Sequence, residues 1–193
     1  MEDPILFVEW YHNKFRSTYH HKAFPEMIHD HRVLISLIDQ FNLQTICEIG
    51  TWNGDTALLL WLYPRVKRVK CIDIHDGLDV EFKQPNHALR TKEEYGKMFR
   101  NTFVELMFAD TMKYPKGNEQ HDLVFIDACH DYEHVKNDTE LALSWNPKVI
   151  AWHDYRNGNE GVDKFLDEIK ASGTTFMEFK NSCIVAARIP CQI

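Results

Sequence analysis

The chain has 193 residues, 44% of them hydrophobic, with only 8 glycines and 7 prolines. That is enough apolar material for one sizeable core, so a single compact domain is expected. A net charge of −7 and a pI near 5.9 give no long-range attraction to phosphate backbones, and the one basic run, Arg65 to Lys70, is short and interleaved with valines; nucleic acid is not expected as a partner. Five cysteines without a CxxC pair and no basic-then-apolar leader point to a reducing, cytoplasmic setting. No apolar stretch approaches the roughly 20 residues that span a bilayer, so no membrane partner is expected either.

Residues 1–24 are rich in aromatics and histidines (Phe7, Trp10, Tyr11, Phe15, Tyr19, His20, His21) without a clean period. This leader, placed at 1–32 ahead of a domain at 33–193, reads as a lid, as a contact between copies in a homodimer, or as a packed segment. From Pro25 the pattern changes: Val33, Leu34, Leu37, Ile38 and Phe41 recur at helical spacing, with Pro25 near the first turn. Strand-like runs then alternate with helical patterns: a strand at 45–50, a helix at about 55–63 stopped by Pro64, and a strand at 69–74. A polar stretch from His75 to about Arg90 leads to a helix over 91–99 and strands at 103–110 and 121–128. A helix over about 131–145, a strand at 148–154 and a helix carrying Val162, Phe165, Leu166 and Ile169 follow. Two final strands are joined by a short turn at Asn181 and Ser182. The alternation predicts an α/β fold: a Rossmann-like, seven-stranded, mostly parallel sheet with helices on both faces. The closing pair has no room for a crossover and must be antiparallel.

Open sheets of this kind bind ligands outside the carboxyl ends of their strands. Those ends read Glu48 to Gly50, Asp73, Asp110, Asp127 to His130, and His153 with Asp154. The stretch EIGTWNGDT places Gly50 and Gly54 between a strand and a helix, where glycine lets backbone approach a ligand and leaves helix-start amides free. A dinucleotide fingerprint would need glycine at Trp52 and Asp55, and a phosphate loop would need Gly-Lys-Ser/Thr; neither is present. Glu48 would repel a pyrophosphate, so the turn suits a ligand carrying positive charge. Asp73 can accept from ribose hydroxyls and Asp110 from an adenine amino group. Together these are the parts for an adenosine with a cationic tail.

EIGTWNGDT, CIDI, FAD and the terminal hairpin resemble class I S-adenosylmethionine-dependent methyltransferases. FIDACHDYEHV with AWHDY is similar to the branch of catechol-type and macrolide-sugar O-methyltransferases. The resemblance spans about residues 33–190. It implies S-adenosylmethionine as methyl donor, with Glu48, Gly50 and Gly54 at its methionine end, Asp73 at the ribose, and Ile74 and Asp110 at the adenine. It also implies a small-molecule acceptor and His130 as general base.

Methyl transfer needs an acceptor oxygen held in line with the sulfonium and deprotonated as it attacks. Asp127 and Asp154, brought together at neighbouring strand ends, would give Mg²⁺ or a similar divalent cation a site with open positions, which makes Asp127 a candidate in catalysis as well as ligation. His153 is the third candidate ligand. Members of the branch often end the fifth strand in two oxygen ligands, and an imidazole there favours softer metals. Close relatives also carry Gly-Asp where this chain has Ala128 and Cys129. HDYEH at 130–134 fits the H-x-x-E-H zinc-protease signature as well, although it starts at a strand end. Asp131 and Glu133 read as an acidic first helical turn, His134 as a helix-surface residue and Cys129 as a packed one. The acceptor classes that remain open are a nitrogen or a macromolecule, and a module that binds the cofactor without turnover is the rival outside enzymology.

Overall fold

The computed structural model describes residues 3–15, 27–78, 91–117 and 119–190. Tyr19, His20, His21, Pro25 and most of the polar stretch after Leu78 lie outside the described residues. The described strands are β1 (Thr45–Ile49), β2 (Arg68–Asp73), β3 (Glu105–Phe108), β4 (Leu123–Ile126), β5 (Val149–Trp152), β6 (Met177–Glu178) and β7 (Val185–Arg188). They form one sheet in the order β3-β2-β1-β4-β5-β7-β6. β1 to β5 pair in parallel, while β7 runs antiparallel to both β5 and β6. The expected mostly parallel sheet with a closing antiparallel pair is therefore what the chain builds.

Side chains alternate across the pleat, and each set meets a different layer of helices. Ile46, Leu123, Phe125, Val149 and Ala151 face the layer of α1 (Pro4–Phe15), α2 (Met27–Phe41) and α3 (Asp55–Leu62). Cys47, Ile49, Val124, Ile126, Ile150 and Trp152 face α4 (Tyr132–Ser144) and α5 (Glu160–Ala171). Both faces of the central strands are covered, so β4 and β5 read as continuous apolar runs, while β1 and β2 bury Glu48 and Lys70 among their apolar residues. The described part of the leader joins the first layer: Phe7, Val8 and Tyr11 are buried on α1, and the Tyr11 hydroxyl donates to the Asp55 carbonyl at 2.7 Å.

One bond pair fixes α4 against β5. Trp152 Nε1 donates to Thr139 Oγ1 at 2.8 Å, and that hydroxyl donates to the Val135 carbonyl at 2.8 Å. An indole N–H buried without a partner would cost about 1–3 kcal/mol, so α4 is pinned over β5.

The helix expected over 91–99 does not form. Lys92–Glu94 make a single 3₁₀ turn, capped reciprocally by Thr91 and Glu94, and a series of turns follows. Gly96 sits at φ +61°, its N–H bonds to the Trp52 carbonyl, and Met98 N bonds to the Asn53 carbonyl. These amides serve the glycine turn opposite rather than a helix of their own.

Candidate active site

The strand order reverses at β1, which lies between β2 and β4. At this switch point the ladder carries on one residue past the strands, with Gly50 N bonded to the Ile72 carbonyl and Asp127 N to the Ile49 carbonyl, before the loops part. Gly50, at φ +86°, passes so close to the β4 loop that a Cβ would fall 2.0 Å from the Asp127 carbonyl oxygen. Only glycine fits there. Gly54, at φ +87°, opens α3, and the space beside it is filled by the Phe99 ring.

The acidic residues of this corner are tied to the turn. Asp73 Oδ2 accepts from Thr51 N at 2.7 Å and Trp52 N at 3.0 Å, and Oδ1 from Ile74 N at 2.7 Å. Three of roughly four acceptor positions of the carboxylate are thereby used, which fixes its orientation and leaves about one for a ligand hydroxyl. Ile74 is half-buried beside it, and His75 and Tyr95 pack edge-on against Phe108 at the end of β3. Asp110 follows as the cap of a 3₁₀ turn at Thr111–Lys113, accepting from Met112 N at 2.9 Å. Glu48 lies beneath the turn, 2% exposed, with its Oε2 accepting from Thr51 Oγ1 at 2.6 Å and facing the Cys71 thiol at 3.3 Å.

The other corner joins the β4 and β5 loops. His130 Nε2 lies 2.8 Å from Asp154 Oδ2, and His153 Nδ1 lies 3.2 Å from that same oxygen and 3.3 Å from Asp127 Oδ1. Asn157 Nδ2 donates to Asp154 Oδ1 at 2.8 Å. Asp154 holds this position at φ +62°, a left-handed conformation that non-glycine residues adopt at a cost of order 1 kcal/mol or more and that clusters at functional sites. Ligand atoms of Asp127, His153 and Asp154 all lie within 4.8 Å of one another. The hydrogen bond to Asp154 raises the pKa of His130. Burial alone would lower His153, but the carboxylates of Asp127, Asp154 and Asp30 outweigh it and hold the imidazole well above its usual value. Burial opposes ionisation of Asp154 too, and the neighbouring His130 and His153 imidazoles override that and depress its pKa.

The protease pattern is not realised. His130 precedes α4 and binds Asp154, whereas His134 lies 3.9 Å from Asp131 within the helix, and among the described residues no metal-competent cluster contains both. His134 is less of a surface residue than its position suggested, with 15% of its side chain exposed. Burial pushes the Cys129 thiol up to about 12, which suits a packed residue and not a nucleophile.

Residues 47–155, more than half of the chain, match the family described as a methyltransferase domain. The chain belongs to this methyltransferase family. The fold agrees with that of solved methyltransferases. The SAH-bound methyltransferase PaMTH1 of Podospora anserina aligns at a TM-score of 0.57 and 17% identity, over 98% of this chain and 89% of that one. Cofactor-bound Rv0187 from MTB aligns at 0.56 and 18% identity over 97% and 90%, and the O-methyltransferase NovP at 0.58 and 16% over 79% and 74%. No curated protein matches the chain. Among the described residues, no helix of the methyltransferase is long and apolar enough to cross a membrane.

The methyltransferase brings the candidate cofactor, catalytic and metal residues read from its sequence to the carboxyl edge of the sheet, but it adds others. Asp30 reaches in from α2: its Oδ2 lies 3.2 Å from His153 Nε2, and its Oδ1 accepts from Ser182 Oγ at 2.5 Å and Cys183 N at 3.3 Å. A signal for it existed. Asp30 stands three and four residues before Val33 and Leu34, so it falls on the apolar stripe of α2, where a carboxylate needs a partner. Thr51 and Asn157 carried no such signal.

Burial pushes the Glu48 carboxyl up to about 8, with the Asp127 and Asp73 charges adding to the shift against the bonds from Thr51 and Cys71. Because the folded value lies above the unfolded one of about 4.5, its contribution to stability is complete below pH 4.5 and is lost as the pH rises through 8. Urea unfolding from pH 5 to 9 should show wild type losing stability relative to Glu48→Gln with rising pH. Parallel curves would mean that Glu48 ionises normally.

Proposed function

We propose that this methyltransferase moves a methyl group from S-adenosylmethionine to a hydroxyl of a small molecule, with His130 as base and a divalent cation held by Asp127, His153 and Asp154. The observation that carries the reading is the 2.8 Å contact between His130 Nε2 and Asp154 Oδ2, beside Asp127 at the switch point of the sheet. Support for the donor comes from the fixed Asp73 carboxylate, which suits a ribose hydroxyl, flanked by Ile74 and Asp110 for the adenine. Glu48, Gly50 and Gly54 shape the turn for the methionine end. The likeness to NovP, an O-methyltransferase of the same fold, favours oxygen as the acceptor.

The donor supplies a methyl on a sulfonium; the S–CH₃ bond breaks with its electron pair staying on sulfur as the O–CH₃ bond forms. His130 takes the hydroxyl proton. In its neutral form the Nε2–H donates to Asp154, which leaves the Nδ1 lone pair to accept, and the adjacent carboxylate stabilises the imidazolium that results. The cation site fits the residues present: His153 Nδ1 is buried without a hydrogen-bond partner, and two carboxylate oxygens converge on it. A bound cation would orient the acceptor and lower the pKa of its hydroxyl.

Transfer of a labelled methyl group to a panel of phenols, sugars and amines, with and without excess chelator, tests this. Labelling of hydroxyl acceptors that collapses in chelator and returns with added metal is expected. Labelling of amines alone would overturn the acceptor, and full activity in chelator would overturn the cation.

A further inference from the structure

We propose that Asp30 is a positioning residue that turns this site into a nitrogen-containing one: it takes the Nε2–H of His153 and so presents Nδ1 as a ligand, favouring a transition-metal divalent ion over Mg²⁺. The inference rests on the divalent-cation reading above.

The two ring nitrogens of His153 face different partners. Nε2 points to α2, with Asp30 Oδ2 at 3.2 Å and the Cys183 sulfur at 3.3 Å. Nδ1 points to the site, 3.3 Å from Asp127 Oδ1 and 3.2 Å from Asp154 Oδ2, and neither contact has hydrogen-bond geometry. An octahedral ion with ligands at about 2.1 Å places neighbouring ligands about 3.0 Å apart, close to these separations.

Asp30 is built for one orientation. It is 6% exposed, and Ser182 Oγ at 2.5 Å and Cys183 N at 3.3 Å both donate to Oδ1. Oδ2 faces His153 Nε2 at 3.2 Å, with the Cys183 thiol donating to it from farther off, at 3.8 Å. A carboxylate accepting from the far nitrogen of a ligating histidine sets its tautomer and raises its basicity, and losing such a partner costs about 10–100-fold in metal affinity. An imidazole between two carboxylates also suits Co²⁺ or Zn²⁺ better than Mg²⁺, which prefers oxygen ligands. Asp30 reaches the site from a helix far away in sequence, so the choice of metal is tied to the docking of α2.

Asp30→Asn is the decisive variant. Its carbonyl oxygen can keep Ser182 and the Cys183 amide, which turns its NH₂ toward His153 and shifts the ring proton to Nδ1. Calorimetry with Co²⁺ and with Mg²⁺ should show Co²⁺ preferred by wild type, and a loss of about 10–100-fold for Co²⁺ in the variant with Mg²⁺ little changed. Added to His153→Asn, Asp30→Asn should cost nothing further for Co²⁺. Equal weakening of both ions, or additive losses, would make Asp30 merely structural and overturn the proposal. Sulfur-to-cobalt charge-transfer bands would place the ion on Cys183 and overturn it too. Should Asp30→Asn fail to fold, His153→Asn alone must bring the Co²⁺ preference down, and an unchanged preference overturns the proposal. If wild type binds neither ion, the cation reading falls and this role with it. If wild type binds Co²⁺ and Asp30→Asn binds it equally well, only this role falls.

Discussion

Replacing His130 with alanine is expected to lower methyl transfer by a factor on the order of 10²–10⁴, the usual contribution of a positioned base, while leaving S-adenosylhomocysteine affinity nearly unchanged. The separation follows from geometry. His130 and its partner Asp154 belong to the β4 and β5 loops, whereas the turn residues and Asp73 belong to β1 and β2. About a third of the His130 side chain is exposed, so its removal opens no core cavity and the fold should persist. Single-turnover rates in the variant and calorimetric titration of the same preparation check both halves. Retained turnover would remove His130 from the chemistry, and a parallel loss of affinity would place it in the donor pocket instead.

The second large effect is expected at Asp73. Asp73→Ala removes the acceptor for a ligand hydroxyl and also frees the Thr51 and Trp52 amides that shape the turn. A charge-assisted hydrogen bond contributes about 1.5–3 kcal/mol, and 1.4 kcal/mol is tenfold in affinity, so S-adenosylhomocysteine should bind at least about tenfold more weakly. Asp73→Asn, which keeps one acceptor oxygen and the turn, should fall between the two. Equal affinity in all three proteins would mean that Asp73 only braces the turn.

The legible parts of this protein are the local ones. The strands β1, β2, β4 and β5 could be read because, covered on both faces, they are built mostly of apolar residues, with Glu48 and Lys70 the buried exceptions, and each run leads into an acidic residue at or near its end. Asp127, His130, His153 and Asp154 stood out for that reason. The pairing of His130 with Asp154 is less legible, since it depends on how far two neighbouring loops curl. Asp30 was harder still. Its partners His153, Ser182 and Cys183 lie more than 120 residues away, and a helix pattern records which face is buried but not what waits opposite. The segment 91–99 misled because its composition suits a helix, while Gly96 at positive φ and the carbonyls of Trp52 and Asn53 draw its amides elsewhere. Tertiary hydrogen bonds outweighed propensity there.

The most direct test of the central claim is calorimetric titration of the wild-type protein with S-adenosylhomocysteine. Saturable binding at one site per chain, weakened in Asp73→Ala and preserved in His130→Ala, is the result expected of a methyl-donor pocket at the β1 switch point. Absence of binding to wild type would contradict the donor reading and leave the Asp127, His153 and Asp154 cluster to be explained without it.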